Sequence, residues 1–455
     1  MRTSSGAVLC VDIGSTFTKA ALVDAGAGTL LATGAHPTTL DGDVLDGVRA
    51  ARAEAERRAG VTASEILACS SAGGGLRLAV VGYERAVTAE AGHRVALTAG
   101  GHVVHVHAGP LDDDGTDALH AARPDVVLLT GGTDGGNADV LVHNARAIGL
   151  ARLAAPVVLA GNAAAAADAE DELARRRRHV VVTGNVLPAI GTLDPAPARA
   201  AIREVFLRHV IGGKLGDGLS PDEAFAGLVR AATPDAVLTG VELLATAGDV
   251  MVVDVGGATT DVYSAVSADA CRQQGLAGEI APLSHARTVE GDLGLRSGAR
   301  GVLAAAAAEG LLGDGREAAG PAAGDDLLEH VERAAADPGY LPADPAPDLR
   351  LAALAARIAA RRHGRPQTPG GAPRPLRDVG LLVGSGGVLR HNPGAADGVL
   401  RPLTRDHAGG WAVPERARVV VDLRYVLFAA GLLAGIAPEA AVALAREAAQ
   451  GTIGG

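Results

Sequence analysis

The spacing of apolar and polar positions near the start of the chain predicts strands followed by a helix. Residues 7–14 and 20–34 have the apolar, β-rich composition of strands, and residues 43–60 have a helical composition that stops at Gly60. Residues 66–82 return to strand character around a glycine-rich bend. The pattern therefore predicts a β-β-α-β unit at the start of the chain.

From about residue 84 to residue 190, short apolar strands alternate with helical stretches. The three clearest strands are DVVLLT at 125–130, PVVLAG at 156–161 and HVVVTG at 179–184, and each ends in a small or polar loop. Repetition of strand, polar loop and helix is typical of a parallel α/β unit, whose ligands bind at the carboxyl ends of the strands. We interpret this region as an inserted domain.

After a mainly helical segment, the second half of the chain repeats a hairpin pattern at 249–266. Residues 300–375 are rich in Ala, Gly, Pro and Asp and contain one predicted helix, 349–363. A strand with a glycine-rich turn follows at 379–390. The predicted regions are a first lobe at 1–83, the inserted α/β domain at 84–195, a helical connection at 196–248, and a second lobe at 249–455 with a low-complexity helical insertion around 300–375.

Size and charge narrow the class of protein. A chain of 455 residues exceeds what one hydrophobic core usually organises, so two or more domains are expected. The net charge of −11 argues against a general nucleic-acid-binding surface, which would be basic. The compact basic cluster Arg175–Arg178 is interpreted as a solvated helix end, with a phosphate or protein contact as the alternative.

Cysteine usage and hydropathy indicate a cytoplasmic protein. Cys10, Cys69 and Cys271 are scattered, odd in number and without a metal-binding spacing, which favours reduced thiols. The first ten residues have neither the long apolar region nor the cleavage pattern of a secretion signal. The longest apolar run, 426–437, is too short to span a bilayer, and we expect it to be a buried helix.

The two predicted hairpins carry the same chemistry at their tips. In each, an aspartate ends a buried apolar run and is followed by glycine and small hydroxyl residues. The tip residues are Asp12, Gly14, Ser15, Thr16 and Lys19 in the first hairpin, and Asp254, Gly256, Gly257, Thr259, Thr260 and Asp261 in the second. Glycine lets backbone N–H groups approach a phosphate closely, while hydroxyls and Lys19 add donors and positive charge. Because carboxylates repel phosphate, Mg²⁺ held largely through water is expected between them.

A third glycine-rich loop, VGSGGVLR, follows an apolar strand and contains Gly384, Ser385, Gly386 and Gly387. Such a loop can pass flat beneath an adenine ring. Each of the three loops taken alone is also compatible with a tight glycine turn. Their occurrence together, in this order, favours a nucleotide site over three unrelated turns.

Two phosphate loops followed by a glycine-rich adenosine loop resemble those of the actin, Hsp70 and sugar-kinase superfamily of ATPases. The resemblance implies an α/β fold of two ribonuclease-H-like lobes that close on Mg-ATP, here with the inserted parallel α/β domain. It implies that Asp12 holds Mg²⁺ through water and that Asp254 contacts the metal or the attacking water. By the same resemblance, the β- and γ-phosphates contact Gly14, Ser15, Thr16, Lys19, Gly256, Gly257, Thr259 and Thr260, and the adenosine contacts Gly384, Ser385, Gly386 and Gly387.

The resemblance also assigns two helices. TGVELLATA, 239–247, would be the connection between the lobes, with Glu242 as a candidate acid that orients water. YVLFAAGLLAG, 425–435, would be the helix after the adenosine loop, in which Ala and Gly permit close packing of the lobes.

A narrower resemblance covers nearly the whole chain. DIGSTFTKA, LLTGGTDGGN, GNVLP, VDVGGATTDVYS, RTVEGDLGLR and GSGGVLRH together resemble the methylaspartate (glutamate) mutase accessory family of the GlmL/MutL type, which is unrelated to the mismatch-repair protein of similar name. This family implies an ATP-dependent partner of adenosylcobalamin enzymes such as glutamate mutase and aminomutases. Its members would release damaged cobalamin from the mutase, with lobe closure and reopening pulling on the bound partner.

Alternatives stay open for the function and for two loops. A small-molecule kinase of the sugar-kinase branch would need a catalytic base in a substrate cleft, to which the sequence does not point. A nucleotide-binding scaffold without turnover is disfavoured by the intact Asp12, Lys19 and Asp254. The loop 128–137 is either a ligand or partner contact or a connecting turn, and the charges of 287–296 either pair with one another or lie near the nucleotide.

Overall fold

The residues that the structure describes form three five-stranded sheets and a short two-stranded one. The structure, a computed structural model, describes residues 2–3, 6–14, 17–38, 44–71, 76–84, 88–89, 91–92, 95–96, 101–151, 153–190, 192–206, 228–267, 284–312, 322–337, 339–366 and 372–450. Its strands are β1 (Arg2–Thr3), β2 (Ala7–Ile13), β3 (Phe17–Asp24), β4 (Thr29–Pro37), β5 (Val61–Thr62), β6 (Glu65–Ser70), β7 (Leu76–Gly82), β8 (Gly101–Ala108), β9 (Val126–Leu129), β10 (Val157–Leu159), β11 (Val180–Val182), β12 (Val229–Ala232), β13 (Val250–Val255), β14 (Thr260–Ala265), β15 (His285–Glu290), β16 (Leu381–Ser385) and β17 (Arg418–Val421).

Helices cover the faces of these sheets. They are α1 (Val44–Ala59), α2 (Asp113–Ala121), α3 (Asp139–Leu150), α4 (Ala166–Ala174), α5 (Ala196–Val205), α6 (Thr233–Leu244), α7 (Ala299–Ala308), α8 (Ala322–Ala336), α9 (Ala346–Gly364), α10 (Gly387–His391), α11 (Pro393–Leu400), α12 (Leu427–Leu433) and α13 (Pro438–Glu447). Within the described ranges, none of them combines the length and the apolar character that a bilayer crossing requires. Helix α9 confirms the predicted helix 349–363, and α12 confirms a buried helix in the apolar run near the C-terminus.

The first lobe is built on the sheet β4-β3-β2-β6-β12. Its central strand β2, AVLCVDI, is buried along its whole length because both faces of the sheet are covered, which explains its nearly unbroken apolar sequence. Strands β2, β3 and β4 pair antiparallel, whereas β6 and β12 run parallel to β2. In order of appearance the strands are therefore arranged 3-2-1-4-5.

The second lobe repeats this arrangement in the sheet β15-β14-β13-β16-β17. Strands β13, β14 and β15 are antiparallel, and β16 and β17 run parallel to β13. Two sheets with the same order and the same pairing sense confirm the predicted fold class, an α/β protein of two ribonuclease-H-like lobes.

The third sheet, β11-β10-β9-β7-β8, is parallel throughout and confirms the predicted inserted α/β unit. Strands β9, β10 and β11 lie within the three segments expected from the sequence. The domain boundaries stay a prediction, but β7 pairs in this sheet although the sequence analysis grouped residues 76–82 with the first lobe. The four residues of β12 also interrupt the connection 196–248, which was expected to be mainly helical, because they complete the first sheet beside β6.

Helices α6 and α12 cross between the two lobes with their backbones in near contact. A Cβ atom on Gly240 of α6 would lie 2.1 Å from the carbonyl oxygen of Leu427, and one on Gly431 of α12 would lie 1.8 Å from that of Ala236. Only glycine permits this approach, which agrees with the expectation that small residues allow close packing of the lobes. The same helices contribute to a hydrophobic core that includes residues of β2 and β13.

Candidate functional site

Each hairpin tip turns through the same backbone hydrogen bond. At the first tip, the N–H of Gly14 donates to the carbonyl of Phe17 over 3.1 Å, and at the second the N–H of Gly256 donates to the carbonyl of Thr259 over 2.9 Å. Asp12 pairs across the first hairpin with Lys19, and Asp254 across the second with Asp261. The two lobes therefore present equivalent tips, each led by an aspartate.

Both tips open onto one cleft of about 1310 Å³ between the lobes. This volume exceeds that of typical small-molecule pockets, about 300–1,000 Å³, so a nucleoside triphosphate fits inside. The predicted site residues that line the cleft are Asp12, Gly14, Lys19, Asp254, Gly256, Gly257, Thr259, Gly386 and Gly387. Ser15 and Thr16 lie outside the described residues.

The cleft floor holds two carboxylates that interact electrostatically. Burial raises the pKa of Asp254 to about 6, the positive charge of Lys19 opposes that rise, and the charges of Asp261 and Asp12 add to it. The hydroxyl of Ser385 bonds to Asp254 and also lowers this pKa. In the described part of the chain, no group of three His, Cys, Asp or Glu side chains could hold a metal ion. A pair of carboxylates suits Mg²⁺, which usually keeps several of its waters.

Besides the Cys69 thiol of β6, two donors from outside its own sheet hold Asp12. The hydroxyl of Thr233, at the start of α6, donates to Oδ1 over 2.6 Å, and the phenol of Tyr425, in the second lobe, donates to Oδ2 over 3.0 Å. The ammonium of Lys19 lies 3.8 Å from the centre of the Tyr425 ring. Neither contact was predicted: Thr233 belongs to no recognisable motif, and Tyr425 was expected only as the start of the helix 425–435, which it precedes in the structure.

Only some of the glycines in the third loop line the cleft. Gly386 has a φ of +104°, a conformation that favours glycine, and a Cβ there would lie 2.2 Å from the carbonyl oxygen of Val255. Gly386 and Gly387 line the cleft. Gly384 packs against Leu400 instead, and the Ser385 side chain is buried against Asp254.

Two further predicted site residues do not line the cleft, Thr260 and Glu242. Thr260 is fully buried and its hydroxyl donates to the carbonyl of Leu293, since alternation along β14 turns it to the face opposite Asp261. Glu242 lies nine residues after Thr233, about 13 Å along α6, and its carboxylate pairs with Arg199 at 2.7 Å. Glu242 is not among the residues that line the cleft.

The segment 287–296 supports the second tip and also lines the cleft, through Arg287, Val289, Gly291, Leu295 and Arg296. The N–H groups of Leu295 and Arg296 donate to the carbonyls of Gly256 and Gly257. A Cβ atom on Gly294 would lie 2.3 Å from the carbonyl carbon of Ala258, so only glycine fits beneath the tip.

The charges of 287–296 are paired with protein groups. Arg287 bonds to Asp261 at 2.8 Å, Glu290 and Asp292 share Arg362, and Arg296 forms two hydrogen bonds with Asp348. These pairs reach beyond the segment itself, to β14 and α9, and so fix it beside the tip.

Asparagine side chains that follow the next two strands, β10 and β11, hold the loop 128–137 of the inserted domain. The side chain of Asn162 accepts from the N–H of Gly135 and donates to the carbonyls of Gly136 and Asn137. Asn185 donates to the carbonyl of Gly132 and to Asp134. These contacts explain the polar residues as turn-forming groups at the carboxyl ends of the strands.

Comparison with known proteins agrees with the motifs. A family model described as "MutL protein" matches residues 8–449. "Protein MutL" of Clostridium tetanomorphum is 33% identical over 467 residues, which cover 97% of this chain and 98% of that protein.

Solved structures give weak geometric matches. A carbohydrate kinase from Novosphingobium aromaticivorans aligns with a TM-score of 0.32 at 14% identity, over 96% of this chain and 92% of its own. A ROK hexokinase from Thermus thermophilus aligns with a TM-score of 0.28 at 14% identity, over 94% of this chain and 96% of its own. Because the family model and the Clostridium protein both span nearly the whole chain, the protein belongs to the MutL family, the glutamate mutase accessory family that its motifs resemble.

Proposed function

We propose that the protein binds and hydrolyses Mg-ATP as an accessory protein of an adenosylcobalamin-dependent mutase such as methylaspartate (glutamate) mutase. The observation that carries the proposal is the meeting of Asp12 and Asp254, one from each lobe, in a single cleft beside Lys19. Membership of the MutL family supports the choice of partner.

The donor set of the cleft fits a metal-bound polyphosphate. Asp12 and Asp254 would hold Mg²⁺ through its waters, because two facing carboxylates repel one another and a triphosphate unless a cation lies between them. Lys19 and the N–H group of Gly257 would contact phosphate oxygens, whereas the N–H groups of Gly14 and Gly256 close their own turns. The bound metal would neutralise charge on the phosphates during transfer to water.

Catalysis in such a site depends on positioning more than on covalent chemistry. The buried carboxylate of Asp254 would orient a water molecule for attack on the phosphate. Glu242 was the other candidate for this task, but its ion pair with Arg199 favours a structural role. We therefore assign the orientation of water to Asp254.

Movement of the lobes would link this chemistry to the partner. The crossing of α6 and α12 joins lobes that otherwise face one another across the cleft, so it is a suitable hinge. Closure on nucleotide and reopening after hydrolysis would pull on a bound mutase and release damaged cobalamin from it.

The first experiment separates an ATPase from a kinase. Purified protein is supplied with Mg-ATP and no acceptor, and phosphate release is measured with and without a cobalamin-dependent mutase. Slow release that the mutase stimulates is expected, whereas release that requires a small-molecule acceptor would identify a kinase. Asp12→Asn and Asp254→Asn should abolish the release, and Asp117→Asn, an exposed change on α2 of the inserted domain, serves as the matched control.

The second experiment tests the partner. The protein is used to capture its partners from native cells with and without Mg-ATP, and a cobalamin-dependent mutase should be retained in a nucleotide-dependent manner. Failure of every cobalamin mutase tested to bind or to change the ATPase rate would reject the accessory role.

A further inference from the structure

One aromatic side chain in the second lobe contacts both charged groups of the first tip. Tyr425 donates its phenol hydrogen to Oδ2 of Asp12 at 3.0 Å, and its ring lies beneath the Lys19 ammonium at 3.8 Å. Asp12 and Lys19 are cross-strand neighbours in β2 and β3. A single side chain thus spans the pair of groups proposed to meet metal and phosphate.

Lys19 is oriented by this ring in preference to a carboxylate. In the described part of the chain, no ion pair joins Lys19 to an acidic group, although Asp12 and Asp254 lie close enough to interact with it or with one another. A cation over an aromatic face is attracted by the ring quadrupole without being neutralised. Its charge therefore stays available to an anion in the cleft.

The backbone of Tyr425 is strained, which is uncommon for a bulky residue. Its φ is +52°, in the left-handed region that disfavours side chains other than those of Gly and Asn. Such a conformation persists when the surroundings determine it, and it occurs most often at functional sites. Here Asp422 accepts hydrogen bonds from the N–H groups of Val426 and Leu427, which fixes the turn that precedes α12.

We propose that Tyr425 is a positioning residue for the nucleotide site, which orients the Asp12 carboxylate through its hydroxyl and the Lys19 ammonium through its ring. The proposal rests on the proposed function, because it gives the two contacts separate roles in binding Mg-nucleotide. The hydroxyl positions Asp12 for the metal, and the ring positions Lys19 for the phosphates. Since Tyr425 belongs to the second lobe, it also makes the geometry of the first tip depend on how the lobes meet.

Two substitutions separate these contacts. Tyr425→Phe removes the hydroxyl and keeps the ring, while Tyr425→Leu removes both. Phe428→Leu is the matched control. The ring centroids of Phe428 and Tyr425 are 5.1 Å apart, so the change removes aromatic packing but no contact with Asp12. ADP affinity is measured by calorimetry for the full chain, once with Mg²⁺ and once with EDTA.

The ratio of the affinity with Mg²⁺ to the affinity in EDTA reports the positioning of Asp12. A general loss of stability does not change this ratio. We expect Tyr425→Phe to lose about tenfold in affinity with Mg²⁺, as for the loss of one hydrogen bond to a charged group, and less than about twofold in EDTA. Tyr425→Leu should weaken binding under both conditions, and Phe428→Leu should leave the ratio unchanged.

The outcomes distinguish this inference from the function on which it rests. A wild-type protein that binds no nucleotide in either condition overturns both. A wild-type protein whose binding is enhanced by Mg²⁺, with an equal enhancement in Tyr425→Phe, overturns the role of the hydroxyl and leaves the proposed function intact. An unchanged affinity of Tyr425→Leu in EDTA overturns the role of the ring.

Discussion

Substitution of Gly431 by alanine tests whether the lobes are joined through direct backbone contact. The added Cβ would lie 1.8 Å from the carbonyl oxygen of Ala236, about half of an ordinary van der Waals distance, so α6 and α12 must separate. Overpacking of a well-packed interface costs about 1–3 kcal/mol, and a clash with backbone, which cannot rotate away, should reach the upper end of that range. We therefore expect Gly431→Ala to lower the free energy of unfolding by about 3 kcal/mol.

The assay is equilibrium unfolding in urea, followed by circular dichroism. Gly435→Ala is the matched control, since Gly435 lies just beyond the same helix and a Cβ there would meet no atom within 4 Å. Gly240→Ala should behave like Gly431→Ala, because its Cβ would lie 2.1 Å from the Leu427 carbonyl oxygen. The double variant should cost less than the sum of the two single ones, since the first substitution already separates the helices. The reasoning is refuted if Gly431→Ala and Gly435→Ala unfold at the same urea concentration.

Three further predictions concern the support of the second tip and the turn before α12. Gly294→Ala should reduce ATP turnover, measured as phosphate release, on the order of 100-fold because it displaces the tip. Gly380→Ala is the control and should leave turnover unchanged, since a Cβ there meets no atom within 4 Å. Arg296→Met leaves Asp348 buried without its main partner and should cost about 3–5 kcal/mol in urea unfolding, while Arg300→Met, at an exposed pair, should leave stability unchanged. Burial raises the pKa of Asp422 to about 6, so the native state binds its proton more tightly than the unfolded state does. The stability of the wild type relative to Asp422→Asn should therefore fall by about 2.4 kcal/mol as pH rises from 4 to 7, and a pH-independent difference would contradict this.

The sequence predicted those parts of the molecule that depend on local pattern. Both hairpin tips were recognisable because each combines a strand, an aspartate and a glycine turn within ten residues. The alternation of side chains along β14 could also have shown that Thr260 and Asp261 face opposite sides, but both were assigned to the tip because the motif continues through them.

The remaining features depend on contacts between distant segments. Strand β12 has only four residues and is stabilised as a strand by pairing with β6, more than 150 positions earlier in the chain. The ion pair of Glu242 with Arg199 depends on how α5 packs against α6, which no spacing to Asp254 reveals. Tyr425 reaches Asp12 across 413 positions of sequence, so its role is visible only in the folded chain.

The proposed function requires that Asp12 and Asp254 act on the same bound metal, which a double-mutant cycle for Mg-ATP binding measures. Affinities are measured by calorimetry for the wild type, Asp12→Asn, Asp254→Asn and the double variant. If both carboxylates serve one ion, the double variant should bind about as weakly as the weaker single variant, because either change already removes the ion. Losses of binding free energy that add in full would show that the two aspartates act independently and would contradict the account.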